Sequence, residues 1–497
     1  MQVHLVNPSD ISFGVAVITP RWLYVLASAT PDSYGVPRLT DETIERFDES
    51  CLSPGDVIGI GIHTANAHRG YEIGRAARER GAFVIYGGIH ATLYPDEARE
   101  HGRGHAVVRG DGDMVWSTVL ADCAASQPRE MYEGGRVDGR SFFPGRWELL
   151  PDNAYMWASV QTVRGCPKHC SFCSVWRTDG QQPRLRGPED VVKEIRELRR
   201  RGFRFLVLAD DNFYPVAFAD LAMARRRLNP AALAELEAIR RERFELMELM
   251  AELPDDMSFF TQITMEAAED PAFLDAMRKA HIRGALVGVE SVTPEGLKAI
   301  YKDFNLAGDA LAQQLQIFRQ HGVHVLASFI FGLPTDNQDT FKATVDLAQA
   351  ADVTFAQFVL LQPFPGTVDF EKWEKSQVNP PKVDDIPLTK HWLIPSARRP
   401  KVYMPHPNMT PDQIRAGTQG AWDRFYSLPQ IWKRAHCVKS LKSRLTFVLI
   451  SKLYRQMYAN TGIATDSARH ARANRMARLL AKPCRKFFVR RPEEALA

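Results

Sequence analysis

Over about the first 125 residues, short apolar runs alternate with stretches whose apolar positions recur at helical spacing. Val3 to Val6, Asp56 to Ile62, Phe83 to Tyr86 and Ala106 to Val108 read as buried strands, with Tyr71 to Arg80 and Pro95 to His101 as helices between them. Such alternation predicts a parallel sheet covered by helices on both faces, here over residues 1–135. Residues 126–150 are polar, rich in Gly and Arg and without periodicity, so they read as a linker.

A second series covers residues 150–375, with apolar runs at Ala158 to Val163, Phe203 to Leu208, Ser258 to Met265, Ala285 to Val289, Val323 to Phe331 and Phe355 to Leu361. All but one of the connections hold a single helical stretch, which predicts strand-helix units wrapped into a partial (β/α)6 TIM-type barrel. The exception, near residues 215–253, has helical Leu and Ala spacing over a length that allows two helices. It reads either as a barrel helix with an insertion or as a cover over a substrate. Residues 376–497 begin Pro-rich and irregular and end as a helical, basic region.

Composition bounds the possibilities. The 497 residues, 45% apolar, are enough for two or three cores. No run reaches the roughly 18 apolar residues of a membrane span, and the start reads as a strand rather than a signal peptide, which predicts a cytoplasmic protein. Charge is uneven: residues 431–497 carry 16 Lys or Arg against 3 Asp or Glu, and the rest carries 47 against 56. A basic tail on an acidic body predicts an anionic surface as partner. In it, Leu445, Val448, Leu449 and Leu453 recur at helical spacing among Lys442, Arg444, Lys452 and Arg455. Such a helix suits either a peripheral membrane interface or packing on the body. With no RNA-binding module and no series of stacking aromatics, nucleic acid is not expected.

Three of the seven cysteines, Cys166, Cys170 and Cys173, fall within eight residues, in RGCPKHCSFCSVW directly after the first barrel strand. Cys51, Cys123, Cys437 and Cys484 are scattered and read as ordinary buried or surface residues. Three thiolates on a four-iron cluster leave one iron open to chelate a substrate. Zinc would need a fourth ligand, and His169 adjoins Cys170 too closely to reach the same tetrahedral centre. An electron-transfer cluster would want a fourth cysteine.

The CxxxCxxC loop, with Phe172 before its last cysteine, resembles the radical S-adenosylmethionine (SAM) superfamily. The resemblance implies a 4Fe-4S cluster whose open iron binds the amino and carboxylate groups of SAM. One electron, from a donor such as flavodoxin or ferredoxin, then gives methionine and a 5′-deoxyadenosyl radical. Further motifs follow in the same order. Glu290 and Ser291 after Gly288 look like the contacts to ribose and methionine, and Gly332, with Leu333 and Pro334, like the adenine motif. Asp210, followed by Asp211 and Asn212, lies where the family often has a Gly-Gly-Glu type contact, whose glycines are missing here; Glu266 is a further polar contact.

In the first domain Thr64, Gly87, Gly88, His90, Gly110, Asp111 and Gly112 follow the strand ends, where an open parallel sheet binds its ligands. Placed ahead of a radical-cluster domain, the pattern resembles the Rossmann-like cobalamin-binding domain of cobalamin-dependent radical SAM enzymes. Asn7, Pro8, Ser9 and Asp10 stand where that fold often has an Asp-x-His-x-x-Gly loop. The resemblance therefore implies cobalamin held without a protein histidine on cobalt. His63 and His68 lie nearby as hydrogen-bonding residues. The implied activity is methylation of an unactivated carbon; the basic tail and the absence of a peptide-recognition module point to a small-molecule substrate such as a lipid or isoprenoid. Ring or carbon-carbon bond formation without methyl transfer, and a non-catalytic Fe-S or Zn protein at a membrane, remain open alternatives.

Overall fold

The structure is a computed structural model that describes residues 1–10, 16–402 and 404–458; Cys484 and the tail beyond 458 lie outside the described residues. The chain opens with β1 (Val3–Asn7) and sends β2 (Ala16–Ile18) to a second sheet. It then completes the first sheet with β3 (Arg38–Asp41), β4 (Val57–Gly61), β5 (Phe83–Gly87), β6 (Ala106–Gly110) and β7 (Met131–Gly135). Order across this sheet is β3-β1-β4-β5-β6-β7, with all pairs parallel. Its strands are apolar on both sides because both faces are covered. Leu5, Val57, Ile85 and Val108 enter one core, and their neighbours Val6, Ile58, Val84 and Val107 enter another.

Two departures from the sequence pattern concern weak strands. Residues 126–150 are not merely a linker, since β7 within them closes an edge of the first sheet. Its sequence, MYEGG, has too few apolar residues to signal a strand. β2 crosses to pair with the first barrel strand, Ala16 facing Tyr155 and Ile18 facing Trp157.

The second sheet continues with β8 (Tyr155–Val160), the short pair β9 (Val163–Arg164) and β10 (Arg184–Leu185), and then β11 (Phe205–Leu208), β12 (Ser258–Ile263), β13 (Ile282–Glu290), β14 (His324–Phe331) and β15 (Phe355–Leu360). Its order is β15-β14-β13-β12-β11-β8-β2, a parallel sheet curled into an open partial barrel. All six expected barrel strands form. Between β11 and β12 run two helices, Phe218–Arg226 and Pro230–Ala251. The second packs between Pro188–Arg200 and Pro271–Lys279, so it belongs to the barrel's helical layer and the first is the insertion.

Residues beyond the barrel fasten the molecule together. Phe370, Trp373, Leu388, Trp392 and Ile394 join the second core of the first sheet. The helix Pro411–Phe425 then covers the open edge at β15. There the Trp422 indole donates to Phe358 O at 2.8 Å, and the Tyr426 hydroxyl donates to Ala356 O at 2.7 Å and accepts from its N–H at 3.1 Å. Edge backbone groups that would otherwise invite another strand are thereby satisfied.

Candidate active site

The cysteine loop is anchored before it begins. Asp210, fully buried at the end of β11, accepts from the backbone N–H groups of Thr162 (2.6 Å) and Val163 (3.0 Å) and from the Thr162 hydroxyl (2.5 Å). Arg243, 1% exposed, reaches from the helix Pro230–Ala251 to donate to that hydroxyl at 2.7 Å. Pairing of β9 with β10 then closes the loop, and Cys166 N–H donates to Gly180 O at 3.1 Å.

The loop itself is braced at several points. Trp176 Nε1 donates to Cys170 O at 3.1 Å, and the Ser171 hydroxyl to Asp369 at 3.0 Å. Lys168 pairs with Glu266 at 2.8 Å, which draws the residue after β12 to the loop. Asp211 accepts from Gly165 N–H at 2.7 Å, and burial pushes its carboxyl up to about 6.

Burial also pushes the thiols of Cys166 up to about 11 and of Cys173 to about 12, and raises Cys170. Only coordination to a cation would hold all three as thiolates in so dry a place. The backbone of Lys168 beside Cys166 and of Val175 beside Cys173 favours charge on the two sulfurs, against burial. Among the described residues, no three His, Cys, Asp or Glu side chains converge on a single ion. A cluster binds each thiolate through a different iron.

Several of the expected SAM-facing residues gather beside this loop. Glu290 lies close enough to influence Cys170 electrostatically, and its φ of 68° falls in the left-handed region, at a bulge in the register of β13 on β14. Lys302, which the sequence pattern did not single out, pairs with it at 3.0 Å. Phe172 packs on Ile300, Ile330 and Leu333, an apolar patch adjoining Gly332. Gly332 and Leu333 N–H both donate to Asp336, at 2.9 and 3.0 Å. Ser291 bonds to Thr293 at the start of the next helix. Asp210 departs from its expected role: its oxygens hold the start of the cysteine loop, so Asp211 is the residue after β11 that faces the cluster loop.

At the carboxyl ends of the first sheet lies a cavity of about 430 Å3. Gly87, Gly88, Gly110, Asp111 and Gly112 line it. Gly88 is required there, since its φ is 91° and a Cβ would stand 2.6 Å from Ile62 O. Gly87 meets nothing nearer than 4.0 Å, so a side chain at that position would project into open space. Much of the wall is apolar, from Val25, Ile60, Ile85, Val108 and Trp116.

Thr64 and His90 are not in that wall. They bond to each other at 3.2 Å, and His90 Nε2–H donates to Glu97 at 3.3 Å. Trp392, packed on His90, donates to the same Glu97 oxygen at 2.8 Å. Thr64 and His90 therefore belong to the seam beneath the segment that follows the barrel, a correction the sequence could not supply because Trp392 is hundreds of residues away. His63 does line the cavity; its Nδ1 accepts from Ala65 N–H at 3.2 Å, so the neutral ring carries its proton on Nε2.

The cavity does not end with the first domain. Gln161, Arg164 and Ala209 complete it from the barrel, and Arg164 stands two residues before Cys166. The Radical SAM superfamily profile matches residues 160–348, beginning at this junction. Those residues form a radical SAM domain. Bacteriochlorophyllide d C-8(2)-methyltransferase of Chlorobaculum tepidum is 25% identical over 369 residues, spanning 71% of this chain and 76% of that one. Hopanoid C-2 methylase of Rhodopseudomonas palustris is 26% identical over 366 residues, 73% of this chain and 65% of its own length. The fold is also that of TsrM from Kitasatospora setae, a radical SAM methyltransferase solved with cobalamin and a 4Fe-4S cluster. That likeness has a TM-score of 0.59 at 19% identity and covers 78% of this chain and 79% of the other.

Proposed function

We propose that this radical SAM enzyme methylates an unactivated carbon of a small-molecule substrate, with a 4Fe-4S cluster on Cys166, Cys170 and Cys173 and cobalamin in the cavity beside it. The observation that carries the reading is the shared wall of that cavity, in which glycine-lined strand ends of one domain meet Arg164 and Gln161 at the root of the cysteine loop. When bound, the cluster and SAM supply a 5′-deoxyadenosyl radical and cobalamin supplies a methyl group.

The chain's own residues bind, orient and exclude water. Backbone N–H groups meet the sulfurs, and the patch of Phe172, Ile330 and Leu333 offers an apolar seat for an adenine. Glu290 offers a carboxylate to ribose hydroxyls. Gly87, Gly88, Gly110 and Gly112 leave room for a large cofactor, and His63 offers it an Nε2–H donor rather than a ligating nitrogen. That arrangement agrees with cobalamin held without a protein histidine on its metal.

The names of the two curated relatives favour a large apolar substrate, and one surface feature agrees with a membrane source for it. The helix Leu441–Tyr458 turns Phe447 and Ser451 inward but leaves Leu441, Leu445 and Leu449 exposed at successive turns, beside exposed Lys442 and Lys452. Such a face suits peripheral contact with anionic lipid. Among the described residues no helix is long and apolar enough to cross a membrane. Reduction of the cluster calls for a low-potential one-electron protein donor.

Anaerobic reconstitution tests the core of the reading. Native protein incubated with SAM and a one-electron reductant forms 5′-deoxyadenosine, and Cys166→Ala forms none while losing its iron. Deoxyadenosine without any S-adenosylhomocysteine, once substrate is supplied, would instead support chemistry without methyl transfer.

A further inference from the structure

We infer that Lys302 and Glu290 act as opposed electrostatic regulators of the cluster, the ammonium favouring its reduced state and the carboxylate disfavouring it. This rests on the cluster reading above but goes beyond it, since nothing in that reading requires a lysine here.

The pair is buried and close to the sulfurs. Its atoms are 3.0 Å apart, with the two side chains 7% and 8% exposed. Lys302 reaches the cysteine loop at Phe172, the residue before Cys173. Its ammonium lies 5.9 Å from the centre of the Phe172 ring, inside the cysteine loop. The carboxylate of Glu290 accepts from that ammonium and is its partner in the dry interior.

The surrounding chain is shaped to hold the pair. At Gly288 a Cβ would stand 2.4 Å from the Glu290 carboxylate and 2.6 Å from the Lys302 ammonium, so a side chain there would displace one or the other. Glu290 itself takes a left-handed backbone conformation at the register bulge. Asn305 donates to Gly288 O at 3.2 Å and Ser171 N–H to Ile300 O at 3.0 Å, which ties the lysine's segment to both β13 and the cysteine loop.

A buried ion pair contributes little net stability against well-packed apolar residues, so stability alone does not account for the left-handed backbone at Glu290. Its charges act on a neighbour with little screening. A cluster bound by three thiolates becomes one charge more negative on reduction, and its potential follows nearby charge and solvent exposure.

The test is a redox titration of the reconstituted full-length protein, followed by electron paramagnetic resonance without SAM so that loss of a cofactor contact does not enter. Lys302→Gln lowers the cluster's midpoint potential, Glu290→Gln raises it, and the double variant falls between them; Lys302→Arg stays near the native value. Should the two single variants shift together, as a merely structural disturbance would make them, or not shift at all, the inference is overturned. A native protein that assembles no cluster overturns the underlying reading, and the inference with it.

Discussion

Asp111 of the first sheet binds Arg164 of the cysteine loop's root across the domain boundary. One oxygen takes Arg164, the other takes Arg184 and also accepts from Val137 N–H at 2.8 Å. The carboxylate is 5% exposed, and the two arginines hold it below the usual range despite burial. Because Asp111 and Arg164 both line the cavity, whatever fills the cavity touches the link that sets the loop's position.

Removing that link leaves two guanidinium groups facing each other. Asp111→Asn is expected to lower unfolding stability by about 3 kcal/mol, the lower end for breaking a buried ion pair because the arginines retain some solvent contact. It also weakens cobalamin retention after gel filtration, with the iron content of the reconstituted protein unchanged. Denaturant unfolding and the absorbance of bound cobalamin measure the two effects separately.

Arg243 and Asp210 make a second prediction. Arg243→Met removes the donor to the Thr162 hydroxyl and the positive charge that acts on buried Asp210, at a cost of about 2 kcal/mol. Cluster occupancy falls with it, because Thr162 begins the strand that leads into the cysteines. The double variant Asp210→Asn with Arg243→Met recovers part of the stability; a double variant as unstable as the sum of its parts would contradict the pairing.

Acid should loosen the seam between the first sheet and the segment after the barrel. Burial depresses His391 to about 3 and also lowers His90, so both stay neutral in the fold while an unfolded chain takes up protons near 6.5. Their contribution is therefore complete above pH 6.5 and is lost as pH falls toward the folded value, by up to about 1.4 kcal/mol per pH unit for His391, with a loss of the same sign for His90. Glu97, held low by His90, Trp392 and Tyr71 although burial opposes this, adds a loss of the same sign only in stronger acid. Melting temperature measured between pH 7 and 5 falls, and His391→Asn flattens the slope.

The membrane reading predicts that full-length protein sediments with vesicles containing anionic lipid and less with neutral ones. Replacing Leu441, Leu445 and Leu449 by Ser removes this binding without lowering the melting temperature, since all three side chains are exposed. Equal sedimentation of the triple variant would place lipid contact elsewhere or nowhere.

Regular elements were legible in the sequence wherever burial imposed a period. The barrel strands and the main strands of the first sheet declare themselves because both faces are covered and the runs are apolar. β7 does not, since only its first two residues, Met131 and Tyr132, bring large side chains to a core and the rest is EGG. Arg243 sits in a run of charge, RRER, that reads as a solvated face, yet it is buried because Asp210 waits beneath it. Lys302 gave no signal either: its importance comes from a turn that brings it back to Glu290, and no spacing rule reports that. The cysteines were plain because a cluster needs its ligands within one loop, whereas the placement of His90 depended on a contact with distant Trp392.

The central claim is that cluster and cobalamin work together in one cavity to move a methyl group. It is tested most directly by anaerobically purified native protein given reductant, methyl-labelled SAM and candidate apolar substrates. The account predicts stoichiometric iron and cobalamin, with 5′-deoxyadenosine and S-adenosylhomocysteine formed in equal amounts as label enters the product. Turnover that yields labelled product from protein free of cobalamin would contradict it.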